Sequence, residues 1–178
     1  MRSGGTRRSE RQVRMRSDHE ELLAKNPALL SRIFWHLARK YSDTGAGKAP
    51  ALPVFILSAG LLFHRETVEK IHRMNFDSQF LKVVAERPDL IGGLQARVES
   101  SARPAFLALQ LGVAAGLLQR DGGGGFPTFR ALGAADLPPA LRDNDSSLGA
   151  MILAGKRLGA WFALEPFETI QRQLTVEF

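Results

Sequence analysis

Residues 117–132 read LLQRDGGGGFPTFRAL, and the four glycines from Gly122 to Gly125 decide how the chain around them folds. Such a run can cradle a phosphate, loosen a linker or turn a hairpin. A phosphate loop delivers its glycines into a helix N-terminus, where backbone amides and the helix dipole point at the anion. Here Pro127 and β-favouring residues follow instead. Short segments with apolar residues flank the run on both sides, and a four-residue glycine connection supplies the positive φ values that a hairpin needs. The stretch therefore predicts a β-hairpin, with Pro127 on an edge strand. Helical patterns precede it. The expected class is mainly α with a small β-hairpin (α+β), organised as a winged helix-turn-helix-like single domain over residues 18–178, behind a disordered basic arm over residues 1–17.

Upstream, Leu29, Ile33, Phe34, Leu37 and Tyr41 recur at helical spacing, with Asn26 as cap and Pro27 in the first turn. That helix should end near Ser42. The run LPVFILSAGLLF predicts a buried helix and RETVEKIHR a polar helix or its extension, with Glu66 placed to pair with Lys70 four residues on. Residues 77–118 read as three helical segments. Asp77 can cap the first, Pro88 starts the second, and Ser100 or Ser101 with Pro104 opens the third. After a proline-rich loop at 136–145, a last helix carries Leu148, Ile152, Leu158, Trp161 and Phe162. Its small residues Ala150, Ala154, Gly155 and Gly159 permit close helix approach. ETIQRQLTVEF alternates as a terminal strand would.

The chain of 178 residues has a formal net charge of +6. The first 16 residues carry +5 of it, which leaves a nearly neutral body. Such an arm, with Arg7, Arg8, Arg11, Arg14 and Arg16, suits sequence-independent contact with phosphate backbones or a solvated tail. On the body, Arg97 and Arg103 flank a helix start, and Arg120 and Arg130 flank the hairpin. These nine arginines are the candidate nucleic-acid contacts.

Residue types exclude much chemistry. There is no cysteine, so thiol catalysis, zinc ribbons and disulfide scaffolds are ruled out. GAGKAP, Gly45 to Pro50, lacks both the upstream glycine and the following Ser or Thr of a nucleotide loop. His19, His36, His64 and His72 are not spaced as metal ligands, and Asp143 and Asp145 are turn formers by position. No nucleophile elbow is present. No enzyme activity, cofactor or small-molecule substrate is expected. The longest uncharged run, Ala49–Phe63, contains two prolines and is too short to span a bilayer. No secretory signal pattern is seen, and a soluble cytoplasmic protein is the expectation.

Asn26-Pro27-Ala28 opening a helix, then Leu52-Pro53 in an apolar run that ends in His64, Arg65, Thr67 and Glu69, then a late Arg157–Ala163 (RLGAWFA), resemble the middle components of bacterial ABC-ATPase three-component conflict systems. The resemblance covers about residues 22–178 and lacks a second proline in ILSAGLLFH. It implies a non-enzymatic adaptor between an ABC/SMC-like ATPase and an effector-bearing protein, acting in nucleoprotein dynamics and defence against phage or plasmids, with DNA as a further candidate partner and no membrane. Such a subunit should expose an apolar patch when isolated. The alternative is a free-standing winged-helix DNA-binding transcriptional regulator. That role needs a recognition helix with polar side chains, whereas RPAFLALQLGVAAGLLQR offers only Gln110 and Gln119 between its terminal arginines and reads as buried.

Overall fold

A computed structural model describes residues 18–24, 26–77, 80–133 and 146–178. The basic arm and the 136–145 loop, with Arg7, Arg8, Arg11, Arg14, Arg16, Asp143 and Asp145, lie outside the described residues. Those that are described form a mainly helical chain with one small antiparallel sheet, in the order α1 (18–24), α2 (Pro27–Thr44), α3 (Leu52–Leu62), α4 (Arg65–Ile71), α5 (Phe80–Glu86), a 3₁₀ turn (Pro88–Leu90), α6 (Leu94–Ala114), β1 (Leu118–Asp121), β2 (Thr128–Ala131), α7 (Ser147–Leu164) and α8 (Phe167–Leu174).

Local chemistry sets the helix starts. Asn26 Oδ1 accepts from Leu29 N–H at 3.0 Å and Pro27 occupies the first turn of α2, as its sequence predicts. Ser146 caps α7 in the same way, its hydroxyl accepting from Gly149 N–H at 3.0 Å. The motif residues after the apolar run organise α4: His64 Nδ1 meets Thr67 Oγ1 at 2.8 Å and Arg65 Nε donates to Glu69 Oε1 at 2.7 Å. Lys70 reaches Asp89 across the chain.

α2 is the centre of the molecule. It packs on α7, α6 and β2, and its own aromatic residue Phe34 stands edge-on to Phe55 of α3 at 5.1 Å. The small residues of α7 do what their spacing predicts. A Cβ on Gly155 would stand 2.6 Å from Ile33 Cγ2, and one on Gly159 would stand 2.3 Å from the Leu37 carbonyl oxygen. Helix backbones therefore touch there. Further along α7, Trp161 Nε1 donates to the Phe76 carbonyl at 3.1 Å, and Phe80 stands edge-on to Phe162 at 4.9 Å. Phe76 lies under two cations, Arg157 at 4.8 Å and Lys40 at 5.4 Å from its ring centre.

Two elements differ from the sequence expectation. The third helical segment does not open at Ser100 or Ser101: α6 is continuous from Leu94 through Pro104. The two serine hydroxyls donate back to the Arg97 and Val98 carbonyls at 3.1 and 3.3 Å instead of capping a new helix. Leu94, Val98, Ser101, Ala105, Ala108, Leu109 and Gly112 form one buried stripe across the proline, and that burial offsets the ~3 kcal/mol a helical proline costs. The terminal segment is likewise helix α8, not a strand. Phe167, Ile170 and Leu174 fall at helical spacing, and Ile170 and Leu174 are buried by it.

Candidate partner interface

The glycine run turns the hairpin. β1 and β2 pair antiparallel with Leu118 opposite Ala131, Arg120 opposite Phe129 and Asp121 opposite Thr128, and Gly122–Gly125 lie in the connection. Its base is set by the end of α6. Gly116 takes φ 68°, which reverses the chain, and Leu117 N–H returns to the Gly112 carbonyl at 2.9 Å. Gly112 allows close approach of the hairpin, because a Cβ there would stand 2.8 Å from Leu118 Cδ1 and 2.7 Å from Ser31 Oγ.

The outer edge of β2 is not open. Leu52 N–H donates to the Pro127 carbonyl at 2.8 Å and Phe129 N–H to the Pro50 carbonyl at 3.0 Å, so the segment leading into α3 runs beside it. The Phe129 ring stands edge-on to Phe55 at 5.4 Å, and Trp35 Nε1 donates to the Leu132 carbonyl at 2.8 Å. The hairpin is thus tied to α2, α3 and α6.

Between hairpin and helix lies a groove of about 370 Å³. Phe106, Leu109, Val113, Pro127 and Phe129 supply its apolar walls, with Gln110 and Arg120 as its polar groups. The apolar surface continues outside it. Phe106 is 43% exposed, Leu107 46% and the tip residue Phe126 59%, and Leu111 and Val113 are also exposed. The sequence reading of α6 as a buried helix is therefore half right. One stripe is buried, and the opposite stripe of its second half is apolar and open to water. An exposed apolar patch is what a subunit separated from its complex should carry.

The arginines singled out from the sequence do not converge. Arg97 is half-buried and donates from Nη2 to the Leu90 carbonyl at 2.9 Å, and burial holds its guanidinium below the usual arginine range. It serves the 3₁₀ turn. Arg103 is exposed on α6. Residues directly opposite in an antiparallel pair share a face, so Arg120 stands on the side of Phe129 whereas Arg130, opposite Gln119, stands on the other. Arg130 Nη1 donates to the Gly47 carbonyl at 3.2 Å.

A second cleft of about 830 Å³ lies among α1, α4 and α7, lined by Asp18, His19, Arg65, Glu69 and His72 among others. Four of its polar groups are engaged with the chain. Arg65 holds Glu69, His19 Nε2 meets the Leu62 carbonyl at 2.7 Å, and His72 Nδ1 meets the Val68 carbonyl at 3.2 Å. Among the described residues no group of three or more His, Cys, Asp or Glu is placed to hold a metal ion, and no helix is long and apolar enough to cross a membrane.

One protein-family model, ABC-three component (ABC-3C) system Middle Component 3, matches residues 15–178. The chain belongs to that family. No curated protein and no solved structure matches it.

Proposed function

We propose that this Middle Component 3 protein is the non-enzymatic adaptor of its ABC three-component system. As a middle component it is one subunit of several; in this proposal it joins an ABC/SMC-like ATPase to an effector-bearing protein in the cytoplasm, in defence against phage or plasmids. The observation that carries the reading is the apolar face of α6 and the hairpin. Phe106, Leu107, Leu111 and Val113 are exposed on the outward side of α6, Phe106 and Val113 lining a formed groove, and Phe126 is exposed in the hairpin connection, at an edge that is hydrogen-bonded in place. Exposed apolar groups on a fixed scaffold suit permanent contact with another protein.

The order of helices and then hairpin supports a winged-helix-like unit, with β2 as an inner wing strand paired to Pro50–Leu52. DNA contact, if it is part of the adaptor's work, falls to the arm, Arg103 and Arg120, because Arg97 and Arg130 are engaged with the chain. The test is to tag the C-terminus, express the protein from its native locus and identify by mass spectrometry what remains bound after a nuclease wash. The expected result is an ABC-type ATPase and a third protein in fixed ratio. Purification alone, or only with DNA before the nuclease step, would overturn the adaptor and favour the free-standing regulator.

A further inference from the structure

We infer that the groove between α6 and the hairpin receives an apolar, acid-bearing helical segment of a partner subunit, which seats its anchors between Phe106, Val113 and Phe129 and pairs a carboxylate with Arg120. This deepens the adaptor reading and rests on it.

The shape comes from α6. Phe106, Leu109, Gln110 and Val113 follow one another at helical spacing along about two turns, so the groove runs lengthwise beside the helix. A helix with apolar residues at i, i+3 or i+4 and i+7 fits such a trough. A strand added at the outer edge of β2 does not, because Pro50–Leu52 already holds that edge. Leu109 and Phe129 form the floor and belong to the buried core, so a seated side chain would touch residues fixed by packing.

The charge comes from Arg120. It lines the groove on the face of Phe129 and has no ion pair among the described residues. Its sequence neighbour Asp121 stands on the other face, where it accepts from Gln119 Nε2 at 3.2 Å. A guanidinium on an apolar rim selects a carboxylate, with which it can form two parallel hydrogen bonds. Arg103 stands at the other end of the exposed stripe, seven residues before Gln110 and on the same side of the helix. Cations therefore bracket the apolar surface, and the occupant is acidic.

The same charges argue against other occupants. The arm of this chain carries +5 and would be repelled. A second copy docked through this same face about a two-fold axis would crowd Arg103 and Arg120 of both chains into one interface. A small ligand would find only Gln110 and Arg120 to orient it, whereas small-molecule sites place several converging polar groups.

The test uses the complex purified from the native locus through the full-length tagged chain. A photo-crosslinking amino acid at Val113 should link to a partner subunit, and the linked peptide should be apolar with an Asp or Glu one or two helical turns from the crosslink. Arg120→Glu should lower recovery of that partner at least tenfold and Arg120→Lys less than threefold. Replacing the partner's acid by Arg should restore recovery to Arg120→Glu. Phe106→Ser should lower recovery similarly, and Leu164→Ser, an exposed apolar residue at the end of α7, should not. Thermal midpoints equal to wild type would show that each variant is folded. Recovery within twofold for Arg120→Glu, a linked peptide without a carboxylate, or a link to a second copy of this chain would overturn the inference while the adaptor stands. Recovery of no partner by the wild-type chain would remove the adaptor and this occupant with it.

Discussion

Between α2 and α7 the chain closes an apolar seam down to the backbone, while along the outer side of α6 it leaves one in water. Both stripes are rich in aliphatic and aromatic side chains. At the seam, Gly155 and Gly159 face Ile33 and Leu37 with no room for a methyl group, and Leu158, Trp161 and Phe162 are buried around them. On α6, the side chains facing outward are large: Phe106, Leu107, Leu111 and Val113. Hydrophobicity alone does not separate the two. What separates them is the shape of the stripe, since small residues let a neighbouring helix of the same chain come close and large ones offer knobs to a surface elsewhere.

The strongest challenge to this contrast is steric. Gly159→Ala would press its Cβ onto the Leu37 carbonyl, a backbone atom that cannot turn away. The expected loss is about 3 kcal/mol, at the upper end of overpacking effects, which for a chain of this size lowers Tm by roughly 6–12 °C. Gly122→Ala, with nothing within 4 Å of the added Cβ, should stay within about 0.5 kcal/mol. Denaturant unfolding of the two variants reads this directly. Equal losses would mean that the seam is looser than its contacts require.

The seam can also be probed by protons. His36 of α2 is buried, and burial first, then the charges of Lys156 and Arg32, push its pKa down to about 4. Burial also pushes His19 down. The unfolded chain protonates such a histidine near its ordinary value of 6.5 while the folded chain resists, so between about pH 6.5 and 4 the unfolded state binds more protons. Stability is therefore present above about pH 6.5 and is lost as pH falls through that window. For His36 the loss is about 1–2 kcal/mol once solvent screening is allowed for. His36→Gln should flatten that part of the pH profile of denaturant midpoints. An unchanged slope would show that His36 titrates normally and that water reaches this side of α2.

Much of this architecture was legible in the sequence where a local rule decided it. The cap at Asn26, the glycine hairpin and the small residues of α7 each depend on a few neighbouring residues, and each is in place. The proline in α6 misled because its local cost is outweighed by burial spread over five turns, which no short window contains. The last segment misled because ETIQRQLTVEF alternates in part, while Phe167 just before it and Ile170 and Leu174 within it keep helical spacing. At the candidate site, the apolar character of α6 could be read but not which side would be covered. That depends on where Gly112 lets Leu118 and Ser31 sit. Nor could charge counting group the arginines, since a hairpin register one residue apart sends Arg120 and Arg130 to opposite faces.

The smallest effect is the most telling for the open stripe. Phe106→Ser removes an aromatic ring from a residue that is 43% exposed. A ring little more than half covered contributes less to folding than a core ring, so the unfolding free energy of the isolated chain should change by no more than about 1 kcal/mol. Replacing Phe162, which is 1% exposed at the seam side, by Ala should instead cost about 3–5 kcal/mol. Because the surface of an unpartnered subunit is also where chains stick to one another, Phe106→Ser should raise the concentration at which the isolated protein stays monomeric in light scattering. A loss of more than about 1.5 kcal/mol from Phe106→Ser would show that the ring is part of the intramolecular core. The stripe would then be a second closed seam, and the distinction drawn between α6 and α7 would disappear.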